Sequence, residues 1–164
     1  MPTVSTQCCI AGGGPAGMLL GLLLARDGVD VVVLEKHGDF LRDFRGDTLH
    51  PSTLEVMHEL GLAERLLALP HQKVHRVTAE FGQRRLTVAD FSGLPVHCPY
   101  VAFMPQWDFL NFLAREAAAF PTFHLRMQAE VTGLVRDGDA VAGVQVRTPD
   151  GPLEVRAPLI VAAD

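Results

Sequence analysis

Cys8-Cys9-Ile10-Ala11-Gly12-Gly13-Gly14-Pro15-Ala16-Gly17 joins an apolar segment to a glycine-rich turn. Its first four residues end a mostly apolar run from Val4 to Ala11, short enough to be a buried strand. From Pro15 to Asp27 the side chains become long and unbranched, with Pro15 suited to a first helical turn and Gly28 placed where helices stop. Val31-Val32-Val33-Leu34 is then a β-branched strand closed by Glu35, so residues 4–35 spell strand, helix, strand, one βαβ unit. Gly12, Gly14 and Gly17 form a GxGxxG at the strand-to-helix turn. Gly12 permits the tight turn, Gly14 lets backbone approach a pyrophosphate, and Gly17 seats the helix close to the strand. The helix N-terminus adds unpaired N–H groups and about half a unit of positive charge, so an anion is expected there. Glu35 follows Gly17 by 18 residues, where a carboxylate accepts hydrogen bonds from ribose hydroxyls and repels a 2′-phosphate. The reading is a dinucleotide site that disfavours NADP. A purely structural glycine turn and a solvated strand-end carboxylate are the alternatives.

Beyond Glu35 a polar stretch leads to a helix from Pro51 to Gly61 with Leu54, Met57 and Leu60 along one side, then a short helical turn from Leu62 to Leu69 ended by Pro70. Val74–Phe81 and Arg84–Ala89 alternate about Gly82-Gln83 as a hairpin that need not belong to the first sheet. Gln106–Ala119 carries Phe109, Leu110, Leu113 and Ala117 at helical spacing. Phe123–Met127 is a short strand. Three alternating runs, Ala129–Val135, Ala140–Arg147 and Leu153–Ala157, turn at Asp137-Gly138 and Asp150-Gly151, the pattern of an antiparallel meander. Leu159–Ala163 is continuously apolar, as a central parallel strand would be.

The chain has 164 residues, 48% of them hydrophobic and 20% charged, which is far from the composition of disorder. A formal net charge of −5 offers no field for nucleic-acid backbones. Three cysteines cannot build a disulfide framework, so a reducing, cytoplasmic setting is expected. No charge precedes Arg26, yet the basic start of a signal peptide is missing and Gly12-Gly13-Gly14-Pro15 would break a membrane span. His71 and His75 share i, i+4 spacing but lack a third ligand, so no metal site is expected. His50 reads as a cap or surface residue, and Cys8 and Cys9 as inert core.

GxGxxG with its acidic partner is common to NAD and FAD proteins. A simple NAD module would need far fewer than the roughly 85 residues that separate Glu35 from Phe123. Together with Glu35-Lys36, Arg45-Gly46-Asp47-Thr48-Leu49 leading into Pro51-Ser52-Thr53-Leu54-Glu55, Gln106, and the final Leu159-Ile160-Val161-Ala162-Ala163-Asp164, the chain resembles the FAD-dependent aromatic-ring hydroxylases. The resemblance covers essentially its whole length. It implies an α/β, Rossmann-type FAD-binding fold with a parallel sheet, an antiparallel β-meander crossover and the first strands of a substrate domain. The parts are residues 1–73 and 104–164 for FAD binding, with 74–103 opening the substrate domain.

The resemblance also implies roles. Gly12, Gly14, Pro15, Ala16 and Gly17 would hold the pyrophosphate, and Glu35 with Lys36 the adenosine end. Arg45 and Gln106 would contact the phosphate and ribityl region, the backbone of Val131 would face adenine, and Asp164 would open an Asp-Gly motif. Asp47 is the catalytic candidate, a general base beside a phenolic hydroxyl, with a structural place in the flavin loop as the other reading. The family's chemistry uses NAD(P)H and O2, and a flavin C4a-hydroperoxide transfers oxygen to an aromatic ring. Another FAD oxidoreductase of the same superfamily, an NAD-dependent dehydrogenase module and a non-catalytic nucleotide-binding fragment stay open, as does a homodimer. The chain is expected to be the N-terminal part of a longer enzyme, binding flavin weakly and hydroxylating nothing alone.

Overall fold

The computed structural model describes residues 1–41 and 47–163. The chain forms two compact units, residues 1–41 with 110–164, and residues 42–109.

In chain order the first unit begins with β1 (Thr3–Ser5), β2 (Cys8–Ala11), α1 (Pro15–Arg26) and β3 (Val31–Leu34). The expected strand from Val4 to Ala11 is therefore two strands. Its break falls where Thr6 Oγ1 donates to the Asp30 carbonyl at 2.8 Å and Gln7 Oε1 accepts the Asp30 N–H at 2.8 Å. Those bonds draw residues 6 and 7 out of any single ladder, and the two halves join different sheets. The second unit holds β4 (Thr48–Leu49), α2 (Pro51–Glu59), α3 (Ala63–Leu67), β5 (Gln72–Val74), β6 (Arg76–Phe81), β7 (Arg84–Asp90) and β8 (Val101–Phe103), leading into α4 (Gln106–Ala117). The first unit then resumes with β9 (Phe123–Arg126), β10 (Glu130–Asp137), β11 (Ala140–Thr148), β12 (Gly151–Arg156) and β13 (Leu159–Ala162).

The first unit is a three-layer stack. Its middle layer is the parallel sheet β13-β2-β3-β9. Successive residues of β2 and β3 point to opposite faces, and both faces are covered, which is why these strands are apolar throughout. One face meets α1 so closely that a methyl group on Gly21 would lie 2.8 Å from Val33 Cγ2 and 2.9 Å from Phe123 Cε2. The other face puts Cys9, Val32 and Leu34 into a cluster with Val144, Val146, Leu153 and Val155 of the meander. Each fully buried valine or leucine there contributes roughly 1.5–3 kcal/mol. The meander is β10-β11-β12 with β1 added in parallel along β12. Its two turns use Gly138 and Gly151 at positive φ, 59° and 113°, which L side chains rarely adopt. β13 is parallel to β2 as expected, but it lies at the sheet's edge among the described residues instead of its centre.

In the second unit β4, β8 and β5 form a small antiparallel sheet, and α2 buries Leu54 and Met57. Among the described residues β6 and β7 pair only with each other. On one face of that hairpin Arg76 meets Asp90 at 2.7 Å and Glu80 pairs with Arg85. The opposite face carries Val77, Phe81 and Leu86, all exposed. Among the described residues no helix is long and apolar enough to cross a membrane.

Candidate functional site

The glycine loop runs from the end of β2 into α1. Gly12 takes φ 117°, and its N–H donates to the Leu34 carbonyl at 2.8 Å, tying the turn to the neighbouring strand. Gly14 is the N-cap of α1, with Pro15 in the first turn and, among the described residues, no side chain capping the helix. The first-turn N–H groups are thus not occupied by a protein cap, the arrangement that receives phosphate oxygens. Each glycine answers a separate steric demand. A methyl group on Gly17 would sit 2.0 Å from the Gly12 carbonyl oxygen, whereas on Gly14 the nearest atom would be the Ala163 carbonyl oxygen at 3.9 Å. Gly17 is required by the protein's own backbone. Gly14 leaves open the space that a bound pyrophosphate would take, so the loop fits the group that its sequence implies.

Glu35 is 5% exposed, which removes the solvated strand-end reading. Its Oε2 accepts the Gly13 N–H at 3.0 Å and its Oε1 accepts the His37 N–H at 2.9 Å. The carboxylate therefore bridges the glycine loop and the end of β3. A methyl group on Gly13 would lie 2.8 Å from Glu35 Cβ, so the middle glycine, an unspecified position in the motif, is needed for this contact. The run of three glycines was the available signal. A carboxylate has about four acceptor positions, and these two backbone donors fix the orientation of the group. Lys36 is exposed and lies near Glu130, whose carboxyl is held below its usual range first by the Arg147 guanidinium and also by Lys36. Val131 pairs with Val146 in the meander and packs against the cluster beneath it. Ala163 donates its N–H to the Ala11 carbonyl at 2.8 Å, beside the loop. Asp164 and Arg45 lie outside the described residues.

Asp47 and Gln106 come together in the second unit. The Asp47 carbonyl accepts the Met104 N–H at 2.9 Å, and Asp47 Oδ1 accepts the Gln106 N–H at 3.2 Å at the start of α4. Asp47 thus holds the segment leading into α4 through both its backbone and its side chain. It also lines an open recess of ≈ 490 Å³ with His71 and Gln72, whose apolar wall is Pro70, Phe103, Met104 and Pro105. That volume is in the range of small-molecule sites. His71 precedes β5 and His75 follows it, so the two are spaced on extended chain and not on a helix. No group of three metal-ligating side chains occurs among the described residues. Cys8 and Cys9 are buried, and burial together with the neighbouring Cys8 pushes the Cys9 thiol up to about 12, leaving it inert at neutral pH.

Comparison with known proteins gives this geometry a family. The family described as FAD binding domain matches residues 5–164. The chain belongs to that family. Among curated relatives of this FAD-binding chain, the 6-methylpretetramide 4-monooxygenase of Streptomyces rimosus is 32% identical over 159 residues, 97% of this chain and 38% of that protein. The rifampicin monooxygenase of Streptomyces venezuelae is 34% identical over 163 residues, 94% of this chain and 31% of that protein. The crystal structure of p-nitrophenol 4-monooxygenase from Pseudomonas putida superposes with a TM-score of 0.84 at 25% identity, covering 100% of this chain and 42% of that one. The chain therefore spans well under half the length of these relatives.

Proposed function

We propose that the chain is the FAD-binding part of a monooxygenase that uses NAD(P)H and O2 to hydroxylate an aromatic or phenolic small molecule. The observation that carries the proposal is the glycine loop locked to a buried Glu35, in a chain whose relatives are named as monooxygenases, one of them of an aromatic compound. Gly12, Gly14, Pro15, Ala16 and Gly17 hold the pyrophosphate, and Glu35 with Lys36 the adenosine end. Val131 offers backbone to adenine. Arg45 and Gln106 serve the phosphate and ribityl region, and Asp164 is a further cofactor-binding residue. When bound, FAD would supply hydride acceptance from NAD(P)H and activation of O2.

What the protein must add is an ordered ring whose hydroxyl ionises, since a phenolate is the better nucleophile toward an electrophilic oxygen. Asp47, in the recess wall, is the charged group proposed to promote that ionisation. Residues 1–73 and 104–164 serve the cofactor, and 74–103 open the substrate domain. The uncovered apolar face of β6 and β7 supports this division, because a two-stranded ribbon needs a further layer to be stable.

The test is made on the purified full-length protein: its visible flavin spectrum, then NAD(P)H consumption, oxygen uptake and product identity with a panel of simple phenols. Oxidation of NAD(P)H without a ring-hydroxylated product from any of them would refute hydroxylation. A colourless protein that FAD cannot reconstitute would refute the cofactor assignment.

A further inference from the structure

Among the described residues one side chain other than glycine has a positive φ, Gln128 at 54°, in the connection from β9 to β10. Side chains avoid that region because Cβ crowds the backbone, whereas glycine adopts it readily. The chain arrives there through a bulge. Glu35 donates its N–H to the Arg126 carbonyl at 2.9 Å, and its own carbonyl accepts the Ala129 N–H at 2.8 Å; an unbroken parallel ladder would bring the N–H of residue 128 to that carbonyl. The Gln128 N–H donates instead to the His37 carbonyl at 2.9 Å. Bulges re-aim side chains, and this one lays Gln128 across the turn that follows Glu35. A methyl carbon on Gly38 would lie 3.5 Å from Gln128 Cγ and 3.5 Å from its Nε2. Gln128 is exposed, and among the described residues its side-chain amide makes no hydrogen bond. Glycine would suit this backbone better, so the use of the glutamine side chain lies outside the fold.

We infer that the side-chain amide of Gln128 reads the adenine of bound FAD, pairing with the edge of the base that carries the amino group. The inference rests on the proposed cofactor site, and it adds a side chain that selects the base to contacts that hold sugar, phosphate and ring through backbone and charge. Two observations support the assignment. The N–H groups of Gln128 and Ala129 tie this connection to residues 35–37, the segment whose Glu35 and Lys36 are proposed to hold the adenosine end. Gln128 also lies three residues before Val131, whose backbone is proposed to face adenine. The chemistry agrees with the position. The amide oxygen accepts from the adenine amino group while the amide NH2 donates to the neighbouring ring nitrogen, a two-bond match that an acceptor-only carboxylate or a donor-only lysine lacks. Hypoxanthine has a carbonyl where adenine has the amino group, and leaves the amide oxygen without a donor.

The test titrates the flavin-stripped full-length protein with FAD and with its hypoxanthine analogue, followed by flavin fluorescence, beside thermal melts of each unliganded variant. A matched amide pair discriminates between bases by about 5- to 150-fold, so wild-type protein should prefer FAD by about 5-fold or more. Gln128→Gly removes the amide and the crowded backbone together. It should melt no lower than wild type, yet lose the preference and bind FAD about 5-fold or more weakly. Gln128→Met keeps the length of the side chain and its packing over Gly38, and should lose the same preference. Wild-type protein that binds both dinucleotides alike overturns the inference and leaves the proposed function standing. A folded variant that keeps the preference does the same, even if it binds both dinucleotides more weakly, because Gln128 would then support the turn without reading the base. Gln128→Gly melting well below wild type also overturns it, since the side chain would then serve the fold. Failure of wild-type protein to take up FAD at all refutes the proposed function, and the inference with it.

Discussion

Two glycines of one motif should fail in different ways when each is changed to alanine. On Gly17 the new methyl carbon would stand 2.0 Å from the Gly12 carbonyl oxygen, 3.2 Å from the Gly12 carbonyl carbon and 3.2 Å from Ile10 Cγ2. Real contacts of that kind stay beyond about 3 Å, so the helix start must retreat by about 1 Å, and backbone pressed on backbone has no rotamer to escape into. Overpacking of this severity costs about 3 kcal/mol, the upper part of the usual range, which for a chain of this size is a fall of about 6–12 °C in Tm. The same retreat withdraws the first-turn N–H groups from a bound phosphate. Losing one charge-assisted hydrogen bond of about 1.5–3 kcal/mol weakens FAD binding by about 10- to 150-fold. On Gly14 the methyl carbon meets nothing closer than 3.9 Å, and Gly14 has an ordinary φ of −72°. Gly14→Ala should shift Tm by no more than about 2–4 °C, the equivalent of 1 kcal/mol, while the methyl group intrudes where pyrophosphate must approach. Thermal melts of the flavin-free protein, paired with titration of FAD fluorescence, read both quantities. A Gly17→Ala protein that melts like wild type, or a Gly14→Ala protein with undiminished FAD affinity, would refute the division of labour between the two positions.

Three further outcomes follow from the geometry. Glu35→Gln replaces two acceptor oxygens by one, leaving the N–H of Gly13 or His37 unpaired in a buried setting, and should cost about 1–3 kcal/mol in urea denaturation. Asp47→Ala removes the acceptor at the start of α4 and should cost about 1 kcal/mol; Asp47→Asn keeps an acceptor oxygen and should recover most of that stability, so equal losses would refute the capping role. Burial first, and then the Cys98 thiol beside it, push the Tyr100 hydroxyl up to about 12. Since the chain has one tyrosine, its alkaline absorbance titration should centre well above the ordinary value near 10. Because the folded value is raised, the associated stability is fully present below about pH 10 and is lost as pH rises from there toward 12.

The βαβ unit, the meander and the helix from Gln106 were legible because each rests on a local signal: glycines at required turns, a period of two or 3.6, proline at a helix start. The division of the first strand was not, since it depends on Asp30, which reaches Thr6 and Gln7 only after folding. β4, β5 and β8 have two or three residues each, too few to show a period. The edge position of β13 is a property of pairing order, and its composition cannot report it. At the site, Glu35 was found from its spacing, but the contact that makes Gly13 indispensable depends on packing across 22 positions. In the sequence His71 stands out only as half of an i, i+4 pair with His75. That spacing assumed a helix, and on extended chain the significant neighbour is instead the Leu69 carbonyl two residues back.

The bridge that Glu35 makes between Gly13 and His37 has a kinetic consequence. A glycine-rich turn ordinarily has more conformational freedom to lose than any other segment, and a ligand that must order it binds more slowly and less tightly. Here the freezing of the turn is part of folding itself. Nucleotide then meets a receptor already in shape, and its arrival rate is governed by diffusion and orientation, about 10⁵–10⁷ M⁻¹s⁻¹ for partners that dock without rearrangement. Differences in FAD affinity among variants of this loop should accordingly appear as faster escape of the flavin, with its rate of entry little changed.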